Sequence, residues 1–199
     1  MEMTGEQLVP ASQQDTWNAL NDPEILKACV PGCEAIDPVA ENEFQVTMVA
    51  RVGPVSAKFK GKLSLSDLDP PNSYSIAFEG QGGAAGFGKG SARVTLAPQD
   101  GATRLGYAVN ASVGGKLAQI GSRLVDAAAR KIADDFFRAF NDKVASLYGT
   151  AAQEAAHAEH PAEPVGADAD MPTISTATVA VIAALALVAV IVALFMLYG

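Results

Sequence analysis

Lys116–Leu147 reads KLAQIGSRLVDAAARKIADDFFRAFNDKVASL, and this stretch decides the fold. Apolar side chains recur in it every three or four residues, which is the period of an amphipathic helix with one buried side. The members of this apolar side are Leu117, Ile120, Leu124, Ala128, Ile132, Phe136, Phe140, Val144 and Leu147. The pattern predicts one long helix that needs a large partner surface.

The residues before this helix predict that surface, because they alternate with the period of β-strands. Every second residue from Phe44 to Val52 is apolar, and similar runs follow as far as Val113. Two short helices precede the runs, the first capped by Ser12 and the second opened by Asp22 and Pro23. The order predicts an α+β fold, in which a curved antiparallel sheet of about six meandering strands wraps around the long C-terminal helix and encloses an apolar cavity.

The C-terminal part of the chain predicts a membrane anchor. Val179–Tyr198, VAVIAALALVAVIVALFMLY, carries no charge and would span about 30 Å as a helix, the thickness of the hydrocarbon core. We therefore expect three segments: a ligand-binding domain at 1–148, an acidic Ala/Pro-rich flexible linker at 149–173, and a single-pass transmembrane tail anchor at 174–198. MEMTGEQLVP at the start has no features of a signal peptide, which places the domain in the cytoplasm, on the cytoplasmic membrane.

Charge and cysteine content exclude some classes of function. The formal net charge of −8 disfavours a nucleic-acid-binding protein, which needs a concentrated basic surface. Cys29 and Cys33 would lie in a reducing compartment, and two thiolates without two further ligands make a poor zinc site. We interpret Cys29-Val-Pro-Gly-Cys33 as a helix end followed by a turn, and expect no metal.

A glycine-rich stretch, GGAAGFGKGS at 82–91, comes close to the phosphate-binding pattern G-x-x-x-x-G-K-[ST]. Gly90 replaces the hydroxyl residue, and the alternating sequence that follows predicts a strand instead of the required helix. The stretch is better interpreted as a connection between two strands, with Phe87 at the rim of the cavity.

Two segments resemble a known family. LNDPEILKACVPGCE (20–34) and GFGKGSARVTL (86–96) are similar to segments of the CoxG subunit of carbon monoxide dehydrogenase, the CoxG-like family of the SRPBCC or START-like helix-grip superfamily. The resemblance covers roughly residues 1–148. It implies the helix-grip fold and an accessory protein that recruits a molybdenum hydroxylase, carbon monoxide dehydrogenase, to the cytoplasmic membrane.

The superfamily's cavity holds apolar ligands, so the resemblance also implies a ligand, and a respiratory quinone such as menaquinone suits an enzyme coupled to electron transport. The protein would take quinone from the membrane pool, present it to the dehydrogenase and return quinol. Two alternatives stay open: a pure membrane anchor with a structural cavity, and a lipid-transfer or polyketide-cyclase-like protein.

We expect the protein not to be an enzyme, because residues 1–148 contain no histidine and the predicted inward faces carry Tyr74 and Tyr107 but almost no other titratable group. For each inward residue, packed core is the alternative to a role in ligand binding. The predicted cavity residues are Phe44, Val46, Met48, Phe59, Phe78, Phe87, Tyr107, Leu117, Ile120 and Leu124.

Four lysines are candidates for docking to the partner or to the membrane. Lys58, Lys60 and Lys62 alternate along one strand and would share one face, and Lys89 follows the glycine-rich stretch. They could meet anionic lipid headgroups or an acidic patch on the dehydrogenase. An ordinary solvated strand face would show the same pattern.

Overall fold

A computed structural model describes residues 2–52, 55–119 and 121–155. Its elements follow the predicted order of one strand, two short helices, six strands and a long helix. Their bounds are β1 Glu2–Val9, α1 Gln13–Leu20, α2 Pro23–Cys29, β2 Cys33–Ala40, β3 Glu43–Val52, β4 Val55–Asp69, β5 Ser73–Gln81, β6 Phe87–Gln99, β7 Ala102–Gly114, α3 Lys116–Gln119 and α4 Ser122–Ala155.

All seven strands form one curved antiparallel sheet in the order β1-β7-β6-β5-β4-β3-β2. Strands β2 to β7 make a meander, and β1 pairs with the last strand from Glu2↔Asn110 to Val9↔Thr103. The chain therefore brings its first strand back beside its last one, with α1 and α2 bridging from β1 to β2. The predicted α+β architecture is confirmed.

Local signals place the two short helices as the sequence predicts. The Ser12 hydroxyl accepts a hydrogen bond from the Asp15 amide, and the Asp22 carboxylate accepts from the amides of Glu24 and Ile25 at 2.9 and 3.2 Å. Pro23 occupies the first turn of α2, where it has no amide hydrogen to leave unpaired. These caps fix where the chain leaves β1 and re-enters the sheet.

The long helix α4 has 34 residues and is about 51 Å long. It begins after Gly121, whose φ of +89° breaks the path from α3, and it continues to Ala155, into the segment predicted as a linker. Its buried residues pack in a single core cluster with the inner face of the sheet. They are Val125, Ala129, Ala133, Phe136, Phe137, Phe140 and Val144.

Within residues 2–52, 55–119 and 121–155, no helix is both long and apolar enough to cross a bilayer. The predicted anchor at 174–198 lies outside the described residues, as does the predicted linker beyond Ala155.

Candidate functional site

The inner face of the sheet, which faces α4, is apolar and tightly packed. Five of the predicted cavity residues lie there, each no more than 4% exposed: Phe44, Val46, Met48, Phe59 and Phe78. They alternate with outward polar residues along β3, β4 and β5, as the period of two requires. Their inward orientation is confirmed, while their role in binding a ligand stays a prediction.

Glycines on this face make room for two of these aromatic rings. A Cβ atom at Gly82 would collide with the ring of Phe59, and one at Gly90 would lie 2.7 Å from Cζ of Phe78. Any residue larger than glycine at position 82 or 90 would therefore clash with one of these rings. The interpretation of the glycine-rich stretch as a connection is correct only for 82–86, which contain a turn of 3-10 helix at Gly83–Ala85 between β5 and β6. Its second half, from Phe87 onward, belongs to strand β6.

Tyrosines supply polar atoms on the inner face. Tyr107 is half-buried and stacks on Phe137 of α4 with ring centroids 5.5 Å apart, and burial raises the pKa of its phenol. Tyr74 is fully buried and meets Trp17 edge-on at 5.6 Å. Burial raises the pKa of Tyr74 far above its usual range, so this phenol stays protonated at physiological pH.

The hydroxyl of Tyr74 has no hydrogen-bond partner among the described residues. A buried polar group without a partner costs about 1–3 kcal/mol, so most such groups in native proteins bind a water molecule or a ligand. The sequence places Tyr74 on an inward face but does not distinguish it from its neighbours, because the missing partner depends on what surrounds its ring in three dimensions.

The sequence predicts that Phe87 lies at the rim of the cavity, and this prediction is wrong. Its side chain is 53% exposed on the outer face of the sheet, where the ring lies over Gly114 of β7 at 2.6 Å from the position a Cβ atom would take. The sequence contains the necessary signal. Phe87 and Lys89 are two residues apart on one strand and must share a face, so an outward Lys89 requires an outward Phe87.

Of the three predicted cavity residues near the start of the long helix, only Leu124 has a side chain that the structure describes. Leu124 is 59% exposed, which contradicts its predicted inward position; Val125 is buried instead. Leu117 falls in α3, but its side chain lies outside the description, and so does Ile120 as a whole.

The four candidate docking lysines come together on the outer face. Strand pairing places Lys62 opposite Glu79 and Glu79 opposite Lys89, and the neighbouring row contains Lys60, Gln81 and Phe87. Lys58 and Lys62 form ion pairs with Glu34 and Glu43 at 2.7 and 2.9 Å. The side chains line a groove of about 780 Å³, to which Val39 and Gln45 also contribute.

The cysteine segment has the predicted structure. Helix α2 ends at Cys29, Gly32 adopts a φ of +75°, and β2 begins at Cys33. Both thiols are free, and burial raises the pKa of each, that of Cys33 to about 11. Thiols with such pKa values are mostly protonated at neutral pH and react slowly. In the part of the chain that the structure covers, no three His, Cys, Asp or Glu side chains could hold a metal ion.

Comparison with known proteins identifies the fold and a family. The model of the CoxG family, the CoxG subunit of carbon monoxide dehydrogenase, matches residues 5–145. No curated protein gives a significant sequence match. A conserved protein from Geobacillus kaustophilus has a similar structure, with a TM-score of 0.70 and 28% sequence identity over 74% of this chain and 97% of its own.

More distant structures share the fold alone. A protein from Thermus thermophilus is 15% identical with a TM-score of 0.55, covering 73% of this chain and 98% of its own. A START superfamily protein from Mycobacterium smegmatis is 14% identical with a TM-score of 0.54 and the same coverage, 73% and 98%. The predicted START-like fold is therefore confirmed.

Proposed function

Because the chain belongs to the CoxG family of carbon monoxide dehydrogenase, we propose that it is a membrane-anchored accessory protein of this molybdenum hydroxylase. In this role it recruits the dehydrogenase to the cytoplasmic membrane through a tail anchor at 174–198 and binds an apolar ligand, a respiratory quinone. The family name and the START-like fold support association with the dehydrogenase and ligand binding.

One observation carries the proposal of a quinone: the phenol of Tyr74, fully buried in the apolar core, has no partner among the described residues. A quinone has a flat apolar ring and carbonyl oxygens that accept hydrogen bonds. The protonated hydroxyl of Tyr74 donates to one such carbonyl and thereby satisfies its own hydrogen-bonding capacity. When bound, the quinone supplies a two-electron carrier that is soluble in the bilayer.

The chain's own residues bind and shield this ligand. The rings of Phe59 and Phe78, which occupy the space above Gly82 and Gly90, supply apolar surface on the same face of the sheet as Tyr74. Helix α4 excludes water from the ligand through Phe136 and Phe140, both fully buried.

Organic extraction of the full chain, purified in mild detergent from its native host, tests the proposal. Mass spectrometry of the extract should detect a quinone in an amount comparable with that of the protein. An extract without quinone would favour a pure membrane anchor, and one containing phospholipid alone would favour a lipid-transfer protein. The matched control is an unrelated tail-anchored protein purified in parallel, because quinone that merely co-purifies with the detergent micelle will appear in both extracts.

A further inference from the structure

The outer face of the sheet carries a mixed basic and aromatic groove that the ligand site does not use. Its floor consists of two cross-strand rows, Lys62-Glu79-Lys89 and Lys60-Gln81-Phe87. It lies on the opposite side of the sheet from the buried face that packs on α4. A substitution in the groove therefore leaves the proposed quinone site unchanged.

Two of its lysines are available for a partner. Lys58 and Lys62 already form ion pairs with Glu34 and Glu43, whereas Lys60 and Lys89 form no ion pair with any described residue. From the spacing of strands and residues, the Cα atoms of Lys60 and Lys89 are about 12 Å apart. The groove thus presents two available positive charges at a defined separation.

Phe87 adds an apolar contact beside these charges. Its ring rests on Gly114 and remains 53% exposed, although an aromatic side chain in water is unfavourable. Exposed aromatic residues in ordered positions are enriched at protein interfaces, where they fill pockets on the partner. The combination of an aromatic ring and two flanking lysines has the composition of a small protein-docking site.

We propose that this groove, Lys60, Lys89 and Phe87 with their neighbours, docks an acidic segment of the dehydrogenase that bears two carboxylates and an apolar side chain. The inference rests on the proposed function and names the surface that makes the contact. A protein can place its carboxylates beside Lys60 and Lys89 and avoid Glu79, whereas a layer of lipid headgroups cannot.

The charge of the groove also favours a protein over a bilayer. With Glu34 and Glu43, the ion-pair partners of Lys58 and Lys62, the four lysines and three glutamates here leave a single positive charge. Each lysine attracts anionic lipid by about 1 kcal/mol, and the glutamates offset most of that attraction. Electrostatic complementarity between proteins depends on the pattern of charges instead of their sum, and this alternation of lysine and glutamate is such a pattern.

Binding of purified dehydrogenase to the full chain in nanodiscs of neutral lipid tests the inference. The variant Lys60→Glu/Lys89→Glu should weaken binding by about tenfold or more, and Phe87→Ala should weaken it severalfold. Lys60→Gln/Lys89→Gln should give a smaller loss, since it removes attraction without adding repulsion. The matched control is Lys143→Glu, the same charge reversal at an exposed position of α4, which should leave binding unchanged. Unchanged Trp17 fluorescence will verify that each variant is folded.

Lysine acetylation followed by mass spectrometry distinguishes the two classes of partner. Dehydrogenase should slow acetylation of Lys60 and Lys89 severalfold, and nanodiscs containing anionic lipid without dehydrogenase should not. Protection by anionic lipid alone, or equal binding by the wild type and the double charge reversal, would overturn the inference while leaving the proposed function intact. Failure of the wild-type chain to bind dehydrogenase at all would overturn both.

Discussion

At the scale of single residues, the unpartnered phenol of Tyr74 is the most informative feature of the molecule. If its hydroxyl binds a ligand, it does not contribute to the stability of the ligand-free protein. We expect Tyr74→Phe to leave the free energy of unfolding of ligand-free protein unchanged or to raise it by up to about 1 kcal/mol, because a buried group without a partner is removed. The same variant should retain several times less quinone on extraction.

Denaturant unfolding of the full chain in detergent, followed by circular dichroism, measures the first effect. Trp17 fluorescence is unsuitable for this variant because the two rings are in contact. Tyr107→Phe is the matched control, as a second inward tyrosine whose ring packs on α4. A loss of more than 1 kcal/mol in Tyr74→Phe would mean that the hydroxyl is satisfied by the protein itself or by water, and that its proposed role is wrong.

Single residues also show where sequence reasoning succeeds and where it stops. Alternation alone correctly orients Phe44, Phe59 and Phe78. Their strands, β3, β4 and β5, are each paired on both edges, so a side chain can point only to the inner or to the outer face of the sheet. For Phe87, aromatic character suggests the cavity, but strand parity places the ring outside. What no local pattern reveals is where the outward ring lies: over Gly114, a cross-strand neighbour 27 positions along the chain.

At the scale of elements, helix α4 illustrates how a small error in period accumulates. Counting back from Phe136 by four residues at a time leads to Leu124. Each such step overshoots a full turn by about 40°, so three steps rotate the expected position by about 120°. Val125 is eleven residues before Phe136, which is three full turns plus about 20°, so the two side chains lie on nearly the same side of the helix. Val125 is the residue that the structure buries.

This difference in burial predicts opposite outcomes for two substitutions in the same helix. Phe136→Ala should lower the free energy of unfolding by about 3–5 kcal/mol, because a fully buried ring that contacts Phe137 and Phe140 leaves a cavity. Leu124→Ala should change it by less than about 0.5 kcal/mol, because this side chain is mostly in solvent.

Denaturant unfolding of the full chain in detergent measures both effects, with Trp17 as the fluorophore, since it is the protein's only tryptophan and is buried. A large loss for Leu124→Ala would instead support the helix register expected from the sequence.

At the scale of the whole molecule, the proposed roles fall on different parts of the chain. The family match ends at residue 145, and the inner face, Tyr74 and the outer groove all lie before that point. Membrane attachment, by contrast, is predicted from the apolar run Val179–Tyr198. Ligand binding and recruitment should therefore be separable by truncation.

Deleting residues 171–199 tests this separation in the native host. Dehydrogenase activity should move from the membrane fraction to the soluble fraction, because the apolar segment that would hold the chain in the bilayer is gone. Replacing 171–199 with an unrelated transmembrane segment of equal length should return the activity to the membrane, since the proposed docking surface is intact. If fractionation is unchanged by the deletion, the dehydrogenase reaches the membrane by another route and the recruitment proposal fails. If the unrelated anchor does not restore it, residues 171–199 contact the dehydrogenase themselves.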